Sequence, residues 1–132
     1  MGFFEGVKGM FSQSGADKAE EWQILEGKDS VDKLLSRSES TPQLIYKHSD
    51  RCSVCIFAKS NLEQQAGDIS EATDMNFVDV ISSRDVSNYI ADKLNVRHES
   101  PQAILLNEGE VVWHASHGSV KAEPLMEVLR KN

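Results

Sequence analysis

Along residues 22–132 the apolar positions change rhythm repeatedly, from continuous or alternating runs to a three-to-four-residue spacing, and each change marks an element. Residues 22–25 read as a short strand. Val31, Leu34 and Leu35 then share one helical face, which Asp29 or Ser30 can cap, and the helix runs out before Pro42. Residues 43–48 (QLIYKH) form a strand pattern. From Cys52 to about residue 65 the positions Cys55, Ile56, Lys59 and Leu62 fall at helical spacing, with Gly67 near the end of the pattern. Residues 76–81 (NFVDVI) alternate, and Val86, Tyr89, Ile90 and Leu94 mark the face of a helix that begins near Arg84. After Pro101, the runs 103–106 and 111–114 flank Asn107-Glu108-Gly109-Glu110, a hairpin signal. A helix over 120–129 closes the chain, with Pro124 in its first turn or delaying its start. The order β-α-β-α-β-α-β-β-α predicts an α/β domain over 22–132.

Residues 1–21 differ in kind. Gly2, Gly6, Gly9 and Gly15 are half of the eight glycines, and no strand pattern occurs. Phe3, Phe4, Val7, Met10 and Phe11 would align on one face of a short helix that those glycines weaken. The expectation is an N-terminal extension, flexible or briefly helical. Glu5 within the apolar part and the lack of a basic start argue against a secretory signal, and Gly6 stands where a myristoylation signal wants Ser or Thr.

Charge narrows the functional classes. The 132 residues carry 21 Asp+Glu against 14 Lys+Arg, a net charge of −7. A field of that sign opposes sequence-independent nucleic-acid binding, which relies on Lys and Arg neutralising phosphates. No apolar run approaches the ~20 residues of a membrane-spanning helix. The only two cysteines, Cys52 and Cys55, cannot make the disulfide framework of a small secreted domain, so a reducing cytoplasm is expected.

Those cysteines carry the chemistry. They form a C-x-x-C between a predicted strand and a predicted helix, where free N–H groups and the helix dipole favour thiolate over thiol. Cys52 is then the exposed nucleophile, with a pKa below ~8.5, and Cys55, on the apolar side of the helix, resolves a mixed disulfide. Arg51 adds a neighbouring positive charge. Two other readings remain: half of a zinc site with His48 and a distant histidine, or two inert core thiols.

Pro101 lies just before the AILL strand, where such a fold needs a tight turn facing the cysteines, and the Ser100–Pro101 bond is predicted cis. The backbone beside it can pair with an extended substrate, and proline keeps a competing N–H away from Cys52.

The strand–C-x-x-C–helix unit, Pro101 ahead of the hairpin and the last helix resemble a thioredoxin-like fold, which implies a central mixed β-sheet flanked by helices. KHSDRC (47–52), VRHESPQ (96–102) and WHASH (113–117) are similar to the monothiol bacilliredoxins of the bacillithiol system. The resemblance implies a cytoplasmic bacterial thiol–disulfide oxidoreductase with no tightly bound cofactor and no metal. Its co-substrate would be a low-molecular-weight thiol, bacillithiol or similar. Its partners would be S-thiolated or disulfide-containing client proteins and a reductase or thiol that regenerates it. Cys52 matches the attacking cysteine. Members usually show Cys-Pro-x-Ser, whereas Ser53 and Cys55 stand here, so Cys55 can resolve the mixed disulfide internally.

Arg51, Ser100 and Pro101 are the expected substrate-binding residues, and Lys47 and Arg97 can also draw an anionic thiol by charge. His98, His114 and His117 read first as local hydrogen-bonding groups, and Trp22 and Trp113 as packing residues. The alternatives in function are a general thioredoxin- or glutaredoxin-like protein disulfide reductase, and a non-catalytic, stress-related binding module.

Overall fold

A computed structural model describes residues 21–131. The proposed extension therefore lies almost wholly outside the described residues. Strand β1 (Trp22–Ile24) is followed by helix α1 (Lys28–Arg37), β2 (Gln43–His48), α2 (Ser53–Glu63), α3 (Ala66–Ala72) and β3 (Asp74–Asp79). Then come α4 (Arg84–Leu94), β4 (Gln102–Asn107), β5 (Glu110–Ser116), a single 3-10 turn (His117–Ser119) and α5 (Ala122–Lys131).

The sheet runs β1-β3-β2-β4-β5, with β1, β3 and β2 parallel and β4 and β5 antiparallel to their neighbours. Helices cover both faces, which is why β2 is buried at every position rather than alternating with water. Leu44 and Tyr46 join Leu62, Ile69, Phe77, Leu105 and Leu125 in one core, beneath α2, α3 and α5. Ile45 joins Val31, Leu34, Val78, Ile90 and Ile104 in the other, beneath α1 and α4. Each fully buried Leu or Ile contributes roughly 1.5–3 kcal/mol.

Four local features depart from the sequence reading. The first cap is Gly27, whose extended backbone exchanges hydrogen bonds with the Ser30 hydroxyl at 3.3 and 2.6 Å, not Asp29 or Ser30. The helix after Cys52 stops at Glu63, and α3 is a separate helix. Cys55, Ala58, Leu62, Ala66 and Ile69 are all buried, so the apolar rhythm runs on across a backbone break at Gln65. Strand β3 lies two residues earlier than expected, because Asp79 Oδ1 accepts the N–H groups of Ile81 and Ser82 at 2.9 and 3.1 Å and turns the chain. The last helix opens at Ala122, whose N–H is capped by Asn61 Oδ1 of α2 at 2.7 Å, and Pro124 sits in its first turn.

Candidate active site

The strand-to-helix connection after β2 is a tight turn: Cys52 N–H reaches Ser49 O at 3.2 Å, and Arg51 N–H reaches the Ser49 hydroxyl at 3.2 Å. Cys52 is thereby left as the N-cap of α2, with extended backbone, and its Sγ accepts the N–H of Cys55 at 3.3 Å. A sulfur at this position takes the role a Ser or Asp oxygen plays at other helix starts, and a negative charge on it is favoured by the helix dipole. The thiol of Cys52 is accordingly held below its ordinary range, by the Cys55 side chain first, then by the Cys55 N–H, with Val54 N–H adding to them. The sources are hydrogen bonds; the exposed Arg51 guanidinium does not figure among them.

Cys55 is fully buried, and burial pushes its thiol up, with the Ser100 hydroxyl at 3.4 Å pulling it back and Cys52 adding to the rise. Two sulfurs three residues apart thus have opposite tendencies, one poised as thiolate and one kept as thiol. Both cysteines are free.

Of the segment expected to face the cysteines, Ser100 makes a direct contact, its hydroxyl 3.4 Å from Cys55 Sγ. The Ser100–Pro101 bond is cis, and Pro101 O accepts the N–H of His117 at 2.9 Å, which His117 delivers from a left-handed backbone at φ 56°. His117 Nδ1 also lies 3.4 Å from Glu99. Two of the three segments the resemblance singled out, 96–102 and 113–117, are therefore joined beside Cys55.

Beneath α2 lies a group in which the sequence reading weighed only His48, as a zinc ligand, and passed over Tyr46. The buried Tyr46 hydroxyl donates to Cys55 O at 2.8 Å and lies 3.0 Å from His48 Nδ1, while His48 Nε2 lies 2.8 Å from Asp50 Oδ1. Burial holds the His48 pKa below the ordinary imidazole value, against the pull of Asp50. A neutral ring has one N–H, so it can donate to Tyr46 or to Asp50 but not to both. The signal for Tyr46 was a polar-tipped aromatic in the middle of an apolar strand, six residues before Cys52.

Lys47 corrects an expectation. It is fully buried on the opposite face of the sheet, with Nζ donating to Ser87 O at 3.1 Å and 3.3 Å from His98 Nδ1, so it does not offer surface charge to an anionic thiol. Arg51 and Arg97 are exposed. Trp22 is core: it stacks on Tyr46 with ring centres 5.6 Å apart and donates Nε1–H to Glu63 at 2.6 Å. Trp113 packs partly buried against the same core, and His114 is exposed. Among the described residues no group of three or more His, Cys, Asp or Glu is placed to hold a metal ion, and no helix is long and apolar enough to cross a membrane.

Residues 23–125 match the family described as monothiol bacilliredoxin BrxC. A solved structure presented as a candidate oxidoreductase with a thioredoxin fold is 30% identical, with a TM-score of 0.71, over 80% of this chain and 91% of that one. Thioredoxin from Fasciola hepatica superposes with a TM-score of 0.65 at 18% identity, over 83% of this chain and 97% of that one. Thioredoxin O2 from Arabidopsis thaliana, in its oxidized state, gives 0.64 at 18% identity, over 84% of this chain and 93% of that one. The thioredoxin-like fold expected from the sequence is the fold observed.

Proposed function

We propose a two-cysteine mechanism for this chain, which belongs to the monothiol bacilliredoxin family and is a thiol–disulfide oxidoreductase of thioredoxin fold. The substrate is a mixed disulfide between a client protein and a low-molecular-weight thiol, bacillithiol or a similar one. The Cys52 thiolate attacks the small thiol's sulfur, so the client leaves as a thiolate and the small thiol is carried on Cys52. Cys55, deprotonated, then attacks Cys52 Sγ. A Cys52–Cys55 disulfide forms, the small thiol leaves with the electron pair, and an external thiol or reductase reopens the disulfide.

The observation that carries this reading is the N-cap position of Cys52 with the buried Cys55 directly behind it. Exchange is fastest when the attacking sulfur is a thiolate and the resolving thiol is held back from outside partners until the mixed disulfide forms. Supporting it, the Ser100 hydroxyl lies 3.4 Å from Cys55 Sγ, and the backbone beside Ser100 and Pro101 is the edge proposed to pair with an extended substrate. Arg51, exposed beside the nucleophile, is the group proposed to meet an anionic thiol. Val54, Ile56 and Phe57 are exposed apolar residues in the first turns of α2 after Cys52, Phe57 75% so, and we take them as a surface suited to a protein client.

Mass spectrometry tests it. Cys55→Ala offered a bacillithiolated protein should accumulate the small thiol on Cys52, whereas Cys52→Ala should accumulate nothing. Equal rates with bacillithiolated, glutathionylated and plain disulfide proteins would point instead to a general protein disulfide reductase.

A further inference from the structure

Lys47 is a buried lysine with no acidic partner. Its relative exposure is 0%, and none of the ion pairs among the described residues includes it. Removing an ammonium from water without a counter-charge is costly, and an apolar side chain of similar length would pack there with no such penalty. Stability therefore does not account for a lysine at this place.

Its partners suggest what does. Nζ donates to Ser87 O of α4 at 3.1 Å and lies 3.3 Å from His98 Nδ1, and the Ser87 hydroxyl lies 2.9 Å from the same Nδ1. Burial, then the charges of Lys47 and Arg84, lower the His98 pKa, with Glu99 opposing, so Nδ1 is a neutral ring's acceptor facing two donors. Gln102, the cross-strand partner of Lys47 on β4, donates Nε2–H to Arg97 O at 2.8 Å. Two neighbouring side chains on one face of the sheet thus grip Arg97 and His98 in turn. The same short segment ends at Ser100, whose hydroxyl sits 3.4 Å from Cys55 Sγ.

We propose that Lys47 is a positioning residue for the resolving step: through His98 it fixes the segment 97–101 so that the Ser100 hydroxyl stays on Cys55 Sγ. The inference rests on the two-cysteine reading above. When Cys55 attacks Cys52 Sγ, the bond to the bound thiol breaks and that thiol leaves as the anion. Ser100 steadies the Cys55 thiolate from which the attack begins, and Lys47 keeps Ser100 there from the far side of the sheet.

The test uses an aromatic disulfide that releases one coloured thiolate when Cys52 attacks it and a second when Cys55 closes the internal disulfide. Stopped-flow absorbance separates the two releases. Lys47→Met should leave the first rate within about twofold and slow the second about tenfold, a coupling ordinary for residues of one hydrogen-bonded network. Ser100→Ala should slow the second release as well, and adding Lys47→Met to it should change nothing more. His98→Leu should reproduce the slow second release, while His98→Asn, whose Oδ1 stands near the place of Nδ1, should restore it; this pair decides the matter if Lys47→Met fails to fold. An unchanged second release in Lys47→Met or in His98→Leu overturns the proposal, as do slowings by Lys47→Met and Ser100→Ala that multiply, because a charge acting across the sheet would behave so. Failure of the two-cysteine reading looks different: the wild-type protein would then release no second thiolate, or Cys52→Ser would still release the first.

Discussion

The backbone N–H of Cys55 points at Sγ of Cys52 across 3.3 Å, so the resolving residue is also a donor to the nucleophile it will attack. The Cys55 side chain is the larger of its two contributions to lowering the Cys52 pKa, and the N–H is the smaller. Alkylation of Cys52 by iodoacetamide should therefore rise with pH and level off with a midpoint below that of free cysteine. Cys55→Ala keeps the N–H and loses the thiol, so the midpoint should move up part of the way. A midpoint that stays put in Cys55→Ala would remove the thiol from the account.

Tyr46→Phe deletes one buried hydroxyl and leaves the ring stacked against Trp22. Cys55 O loses a donor and His48 Nδ1 loses its neighbour. A net loss of about 1–2 kcal/mol in the unfolding free energy of the reduced protein is expected, since the partners left behind are buried. Urea unfolding at pH 7 measures it, and an unchanged transition midpoint would show that the contacts carry no net stability.

The sequence made the site legible where a residue's role is local and hid it where the role depends on the sheet. Cys52 and Cys55 announce themselves because only two residues separate them at the start of a helical pattern, and Pro101 because proline before a strand demands a turn. Lys47 gives no such sign: within QLIYKH its period-2 position opposite Tyr46 is plain, but whether that face meets water or α4 depends on the helices packed across it. Arg51 was readable as a charge beside Cys52, yet the measure of its influence is set by exposure, which sequence spacing does not carry. The break at Gln65 was hidden for the opposite reason, because the buried positions continue at helical spacing through it.

The β4–β5 hairpin pairs Asn107 with Glu110 across Glu108 and Gly109, which have φ of 54° and 81°. Two successive left-handed residues define the turn whose twist matches the strands, and Asn suits the first position better than Glu. Glu108→Asn should raise stability by about 0.5 kcal/mol. Gly109→Ala should cost about 1 kcal/mol or more, because φ of 81° is a backbone conformation that a Cβ disfavours, while the Glu39 carboxylate beside it can swing aside. Thermal unfolding of the two variants should therefore move in opposite directions, and movement in the same direction would refute the turn assignment.

Lys47 makes a pH-dependent signature independent of catalysis. Burial lowers its pKa from 10.5 to about 8. Between those two values the unfolded chain holds a proton that the folded one has released, so stability rises with pH there. Below about 8 both states are protonated and the burial penalty is present in full; above 10.5 it has gone. Two and a half units at about 1.4 kcal/mol per unit make the span roughly 3 kcal/mol. Cys52, Cys55 and Tyr46 also ionise at high pH, but they do so in the wild type and in Lys47→Met alike, and the difference between the two proteins isolates the lysine. The stability of Lys47→Met relative to wild type should fall by that amount between pH 7 and pH 10.5, read from urea unfolding under reducing conditions. A difference that stays level across this range would mean that Lys47 titrates as it does in water, and that the ammonium is not confined between β2, α4 and the segment leading to Pro101.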